Sequence, residues 1–354
     1  MPSPPLPGID RRLFLTSLLG VSAAAAGLSG CADSSAAASK SSLSEPLAKT
    51  VPAGTSLKIA SYQNVQQLQF RLAKFGELPF KVSSWANIGA GPDVINAFRS
   101  GSLDVANNAG IPPIQAQFQG YDAKIVAINV TRKPNYLFAT KPGSDIRSVA
   151  DFAGKKLAFS QGQAQGVVLL RALKKAGLAY DDVKLVPLTS NQFLTALQSG
   201  QVDIAPLANQ QAPAYLQQYE SKGAHAITTD VVDLLNLLWA PTSVLSDSAK
   251  AAAVAAYIPY WAKGQVWQYE HPDVWNREFY VKTQNLSLAQ ARSITELANK
   301  PLFPPSWDEA VRWEQETADL LAEGGFVKGF KVDSLFDRRF EGIAAKSVPA
   351  EYRR

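Results

Sequence analysis

The stretch from Asn96 to Ala106 reads NAFRSGSLDVA, and the stretch from Thr195 to Ala205 reads TALQSGQVDIA. Each is a helix end carrying Ala and a bulky apolar residue, then a Ser-Gly stop, then a short apolar strand with one aspartate at the same place. Gly101 and Gly200 suit the left-handed position that closes a helix, and Asp104 and Asp203 stand 203 − 104 = 99 residues apart. A chain that carries this unit twice is constrained to two α/β halves. Because the aspartates hold equivalent places in separate halves, a structural role is expected for them rather than that of a catalytic pair.

The surrounding pattern agrees. Short β-like runs at Leu57–Ala60, Val82–Trp85, Leu103–Ala106, Lys124–Val130, Lys156–Ser160, Val183–Leu188 and Val202–Ala205 alternate with helical stretches such as Asp93–Arg99, Val167–Ala176 and Gln192–Gln198. Such alternation predicts an α/β protein with largely parallel sheets. Beyond Trp239 the texture changes to long helical stretches, Ser248–Tyr269, Pro272–Lys282, Leu288–Asn299 and Trp307–Glu323. Their tryptophans, Trp261, Trp267, Trp275, Trp307 and Trp313, are read as packing residues rather than a ligand cage, since large apolar side chains at helical spacing face the interior.

The N-terminus carries an address. Arg11-Arg12 precedes a weakly hydrophobic Ala/Gly/Leu run that stops at Leu28-Ser29-Gly30-Cys31. Paired arginines suit the twin-arginine export route, and the Leu-Ser-Gly-Cys end resembles the lipobox of bacterial lipoproteins, whose cysteine is acylated. Residues 1–30 are therefore predicted to be a signal peptide, Cys31 the lipidation site and 31–56, rich in Ser, Ala and Lys, a flexible tether. The run is shorter than the roughly 20 residues that a span needs. Cys31 is the only cysteine, so no disulfide forms within the chain and stability rests on packing. The formal net charge of +5 comes from scattered Lys and Arg, which excludes a nucleic-acid-binding face.

Ligands of open α/β sheets sit outside the carboxyl ends of strands. Four loops qualify: Tyr62-Gln63-Asn64, Asn107-Asn108-Ala109-Gly110, Gln161 to Gly166 with Gln163 and Gln165, and Asn209-Gln210-Gln211. Gly91, ahead of Pro92, opens a further helix. These loops hold amides, glycine and one phenol but no charged side chain. Backbone N–H groups at helix starts and Asn or Gln amides together suit a small anion. Enzyme constellations are thin: His225 and His271 are the only histidines and lack metal-ligand spacing, and no Gly-x-Ser-x-Gly elbow or phosphate-binding Gly-x-x-x-x-Gly-Lys loop occurs.

These features resemble the extracytoplasmic substrate-binding proteins of ABC transporters, in particular the group that binds nitrate, aliphatic sulfonates and taurine. The resemblance is carried by Trp85 followed by Gly91-Pro92, by the block from Asn96 to Gln117, by Val149 to Lys156, by Leu169 to Leu173 and by LQSGQVDIA, and it extends loosely to His271-Pro272-Asp273 and Phe336 to Phe340. It implies a two-lobed periplasmic-binding-protein fold with a ligand cleft between the lobes. It also implies a monomer that delivers a solute to a permease and its ATPase, without cofactor or catalysis. Lobe one is expected over 57–135 and 240–340, lobe two over 136–239, with hinges near Tyr136–Lys141 and Leu235–Thr242 and a tail at 341–354. Where sulfonate binders carry small hydroxyl residues, this chain has Gln161 to Gly166, and Pro206 to Gln210 replaces an aromatic and an aspartate. The expected ligand is a small organic anion, an aliphatic sulfonate first. A neutral heterocycle, nitrate, or an enzyme on the same fold acting on a small sulfur compound stay open as alternatives.

Overall fold

The computed structural model describes residues 43–354. Arg11, Arg12 and Cys31, with the expected signal peptide and the first part of the tether, lie outside the described residues. The first half comprises β1 (Ser56–Ala60), α1 (Val65–Leu72), β2 (Lys81–Ala86), α2 (Gly91–Arg99), β3 (Ala106–Ala109), α3 (Ile111–Phe118) and β4 (Ala123–Val130). The second holds β5 (Tyr136–Thr140), β6 (Lys156–Phe159), α4 (Ala164–Lys175), β7 (Lys184–Pro187), α5 (Phe193–Gln198), β8 (Ile204–Ala208), α6 (Ala212–Tyr219) and β9 (Ala226–Ile227). The chain then returns through β10 (Leu235–Pro241) to α7 (Thr242–Leu245), α8 (Ser248–Glu270), α9 (Pro272–Trp275), α10 (Leu288–Glu296), α11 (Asp308–Glu323) and α12 (Ile343–Ser347).

Each lobe has its own sheet, that of lobe one in two parts joined by a single bridge, and the two share one wiring. In lobe one β1 runs parallel to β2, a parallel bridge from Ile59 to Val105 joins it to the approach of β3, and β10 lies antiparallel between β3 and β4. In lobe two the order is β7-β6-β8-β5-β9, with β5 antiparallel to both neighbours. The reversed strand thus holds the same place in each sheet, and each time it is the strand by which the chain enters that lobe.

The sequence repeat explains the match. Gly101 and Gly200, at φ +66° and +71°, close α2 and α5 in the left-handed conformation. Asp104 then accepts the backbone N–H of Lys58 at 2.8 Å and the Lys250 ammonium at 2.9 Å. Asp203 accepts the backbone N–H of Lys156 at 2.8 Å and pairs with Lys141 at 2.7 Å. Each aspartate staples the strand after the repeat to the first residues of its neighbour. Partial desolvation works against the Asp203 carboxylate, but its bonds to Lys141 and Lys156 outweigh this and hold its pKa below the usual value.

Packing follows the apolar pattern. β4 is buried along its whole length apart from Lys124, and Trp239 of β10 meets Phe98 of α2 edge to face at 4.8 Å. Trp261, Trp275 and Trp307 are buried, Trp267 stacks on His271, and Trp313 lies under Arg171, so the tryptophans pack and form no cage.

Five features differ from expectation. Tyr136–Thr140 is paired inside the lobe-two sheet and Leu235–Pro241 inside the lobe-one sheet, so the crossings are 131–135 and 228–234, tied by the Thr131 N–H to Leu234 O at 2.8 Å. α11 does not belong to lobe one alone. Thr317 accepts from Arg171 of α4 at 2.8 Å, and Phe326 packs on Phe159 at 4.7 Å, both contacts to lobe two. Residues 341–354 are no free tail, for Tyr352 is buried and its carbonyl accepts from Phe303 N–H at 2.7 Å. In the expected tether, Leu43, Leu47 and Val51, in irregular backbone, pack against the core and anchor the segment.

Candidate functional site

The carboxyl ends of the parallel strands in the two lobes face one another across the crossings, and the loops singled out in the sequence occupy those ends. After β1 the backbone turns through two successive left-handed residues, Gln63 at φ +52° and Asn64 at φ +59°. Such backbone costs of order 1 kcal/mol or more per residue and persists only where the surroundings hold it. Here Gln63 N–H donates to Asn87 Oδ1 at 2.7 Å, Gln63 Nε2 donates to Gln284 Oε1 at 3.0 Å, and Asn64 Oδ1 accepts from Gln67 at 3.2 Å. Tyr62 is exposed, its ring so close over Gly89 that a Cβ there would lie 2.9 Å from the ring.

Gly91 marks where the lobes touch. A Cβ on it would fall 2.6 Å from Pro112 and 2.9 Å from the Gly162 carbonyl, so only hydrogen fits. Beside it Gln115 Nε2 donates across the cleft to Gln161 O at 3.2 Å, while Gln161 Nε2 donates to Phe326 O at 2.8 Å. A notch of about 270 Å³ opens at this rim between Pro92, Ile95 and Phe118 on one side and Gln161 and Gly162 on the other.

The remaining amides divide into two groups. Asn107 donates to Asn236 Oδ1 at 2.6 Å and Leu237 O at 2.9 Å, and Asn108 donates to Gly89 O and accepts from the Trp239 indole, both at 2.8 Å. Gln163, the N-cap residue of α4, accepts from Ser190 N–H at 2.8 Å and donates to the Ser190 hydroxyl at 2.9 Å. Asn209 donates to Pro134 O at 3.1 Å. These side chains hold loops in place. Gln165, half-buried in the first turn of α4, and Gln210, exposed after β8, make no side-chain hydrogen bond.

Several contributors went unread in the sequence. Ser190 stands in a further strand-end loop, after β7, and its Thr189-to-Gln192 capping box was legible. Gln284 and the acidic group on α11 come from the C-terminal helices, where no local signal marks them. Glu314 of α11 is 1% exposed, neither carboxyl oxygen has a hydrogen-bond partner, and a Cβ on Gly110 would meet its Oε2 at 2.3 Å. Burial, with the nearby Asp233 charge adding and Arg171 opposing, pushes its pKa up to about 8. Burial likewise raises Asp233 to about 7 against the pull of Arg171. Arg171 is itself lowered by burial, and its guanidinium lies 3.9 Å from the Trp313 ring centre. Arg171 thus faces three carboxyls, Glu316, with which it pairs at 3.8 Å, and the buried Asp233 and Glu314, where lobe one, lobe two and the second crossing meet. Among the described residues, no group of three His, Cys, Asp or Glu side chains is placed to hold a metal ion, and no helix is long and apolar enough to cross a membrane.

A family model described as NMT1/THI5-like matches residues 87–272, just over half of the chain. The chain belongs to the NMT1/THI5-like family. A relative from Escherichia coli strain K12, named for binding aliphatic sulfonates, is 37% identical over 120 residues, 34% of this chain and 38% of that protein. The chain therefore matches under two-fifths of that relative's length. Among solved structures, the alkanesulfonate-binding protein SsuA of Xanthomonas axonopodis pv. citri, bound to MOPS, superposes with a TM-score of 0.70 at 21% identity, covering 80% of this chain and 99% of that one. The periplasmic aliphatic sulphonate binding protein SsuA of Escherichia coli gives a TM-score of 0.67 at 24% identity, over 82% and 99%. At these identities the likeness establishes the fold: this family member is a two-lobed α/β protein of the periplasmic-binding type.

Proposed function

We propose that this protein is the extracytoplasmic solute-binding component of an ABC importer and that it captures a small organic anion, an aliphatic sulfonate. The observation that carries the reading is a two-lobed fold shared with alkanesulfonate binders, whose facing loops here hold neutral amides and helix starts. Gln165, Gln210 and the Asn64 side-chain amide offer donors to the ligand, while Gln63, Asn107, Asn108, Gln161, Gln163 and Asn209 position the loops around it. Tyr62 and Gly91 flank the entrance. Without a cation in these loops a monoanion suits better than a dianion, whose burial without a paired charge is costly. The protein is not an enzyme in this reading. Incubating it with alkanesulfonates is expected to raise its melting temperature and return the ligand unchanged, whereas turnover would favour an enzyme on the same fold.

The export reading completes the proposal. The Arg11-Arg12 signal directs the chain out of the cytoplasm and acylation of Cys31 holds it, as a monomer, at the outer face of the membrane beside its permease and ATPase. Changing Cys31 to Ala is expected to release the protein into the soluble fraction or leave it unprocessed. Unaltered membrane retention would contradict the anchor.

A further inference from the structure

The loop of lobe two from Gln161 to Gly166 is held by a residue from the C-terminal part of the chain. α11 closes with Glu323-Gly324-Gly325-Phe326, and this turn is built to deliver its last member. The Gly325 N–H donates to Ala322 O and the Phe326 N–H to Leu321 O, both at 2.9 Å, the pair of bonds that completes a helix end. Gly325 stands at φ +71°, the left-handed conformation that glycine adopts without strain. A Cβ on Gly324 would overlap the Phe326 ring and lie 3.2 Å from Tyr180, so the ring folds back over a bare Cα.

Phe326 touches lobe two in two ways. Its ring centre lies 4.7 Å from that of Phe159, at the end of β6, and 6.2 Å from that of Tyr180, beyond α4. Its carbonyl accepts Gln161 Nε2 at 2.8 Å. The ring contact is passed on, because a Cβ on Gly166, in the first turn of α4, would stand 3.2 Å from the Phe159 ring. Phe159 thus lies between Phe326 and the helix turn that carries Gln165. In a close-packed interior a shift on one side of such a ring is felt on the other. One residue therefore holds the loop at both ends, by its carbonyl at Gln161 and through Phe159 at Gly166. From there the chain returns to lobe one: Phe330 O accepts from Gln315 of α11 at 3.0 Å, and Phe336 bridges Ile125 of β4.

We propose that Phe326 is a positioning residue for ligand binding, a side chain of the returning helix that seats the loop Gln161 to Gly166 and so sets the affinity of the cleft. The proposal rests on the reading that this loop faces the ligand. Phe326 acts through Phe159 and Gln161 rather than on the ligand itself. When the loop leaves its seat, the apparent affinity falls by the fraction of molecules that remain competent to bind.

The test reads affinity and loop order together on the full chain. In titrations with a short-chain alkanesulfonate, Phe326→Ala is expected to weaken binding by about tenfold or more, and Phe326→Leu, which refills the space, to return it to within about threefold of the parent. Phe330→Ala, whose carbonyl serves α11, is expected to leave affinity unchanged. Hydrogen–deuterium exchange without ligand gives the second reading: amides 161–166 are expected to exchange about tenfold faster in Phe326→Ala, while those of β4 keep the parent rate. Gly324→Ala puts a methyl where the ring lies, on a backbone at φ −78° that alanine accepts. It is expected to show both effects, and it decides the matter if Phe326→Ala fails to fold. Unchanged exchange in the loop, affinity within about twofold of the parent, or exchange quickened equally in β4 would each overturn the proposal, the last by showing a role in stability alone. A quickened loop in a protein whose parent gives no sulfonate response refutes the sulfonate reading and leaves the seating of the loop standing.

Discussion

The two lobes share strand order, reversed strand and aspartate staple, yet they use their amides differently. In lobe one Asn107 and Asn108 spend their hydrogen-bonding groups on β10, on Gly89 and on the Trp239 indole. In lobe two Gln163 is likewise committed, but Gln165 and Gln210 are left unbonded. Lobe one is further covered by the long helix α8 and the short α9 and α10, while lobe two is covered on one side by α11 of the returning chain. The difference teaches that a duplicated sheet fixes where loops are presented, and later additions decide which loop is rigid and which is free to read a ligand.

The staple offers the first test of the comparison. The Asp104 carboxylate is more deeply buried than that of Asp203, 6% against 18% exposed, so the same deletion should cost unequal amounts. Asp104→Ala leaves the part-buried Lys58 N–H and the Lys250 ammonium without their carboxylate and is expected to lower stability by about 2 to 3 kcal/mol. For Asp203→Ala about 1 to 2 kcal/mol is expected. Urea unfolding of the two variants measures both, and equal losses would break the claim that the lobes differ in depth.

A second test, spread over pH, lies at the junction between the lobes. Glu314 is held neutral in the folded chain, with a pKa of about 8 against an ordinary 4.5. Between these values the folded state binds more protons than the unfolded one, so stability is greatest below about pH 4.5 and is lost as pH rises toward 8. The slope is about 1.4 kcal/mol for each pH unit crossed when one group dominates. Asp233, raised to about 7, acts in the same direction. Glu314→Gln should flatten the profile and stabilise the protein at pH 8 relative to the parent, a gain absent at pH 4. Parallel profiles for the two proteins would show that Glu314 is ionised in the fold.

The smallest effects separate positioning from reading. Asn108→Ala should cost about 1 kcal/mol of stability, since the Trp239 indole and the Gly89 carbonyl each lose a partner, and it should weaken ligand binding as well. Gln165→Ala should leave stability within about 0.5 kcal/mol while weakening binding alone. If both variants change melting temperature and affinity in the same ratio, the division into committed and free amides fails.

Much of the frame was legible from the chain. The eleven-residue repeat places Gly101 with Gly200 and Asp104 with Asp203, and local chemistry, a left-handed helix stop and a strand-edge carboxylate, recurs wherever that turn recurs. The loops that face the cleft were legible for the same reason. Their division of labour was not, because whether Asn108 is free depends on Trp239, 131 positions away. The crossings were placed a few residues late, since β5 and β10 read the same whether they pair or merely pass between lobes. Glu314 looks in the sequence like one more polar residue of an amphipathic helix; only the approach of Gly110 and α4 buries it.

The account stands most directly on calorimetric titration of the full chain with a panel of alkanesulfonates, taurine, nitrate and neutral heterocycles. It expects a short-chain alkanesulfonate to bind at one site with a micromolar dissociation constant, and taurine more weakly, because no acidic side chain lies in the cleft loops to pair an ammonium. Binding of a neutral heterocycle with no heat from any sulfonate would contradict it.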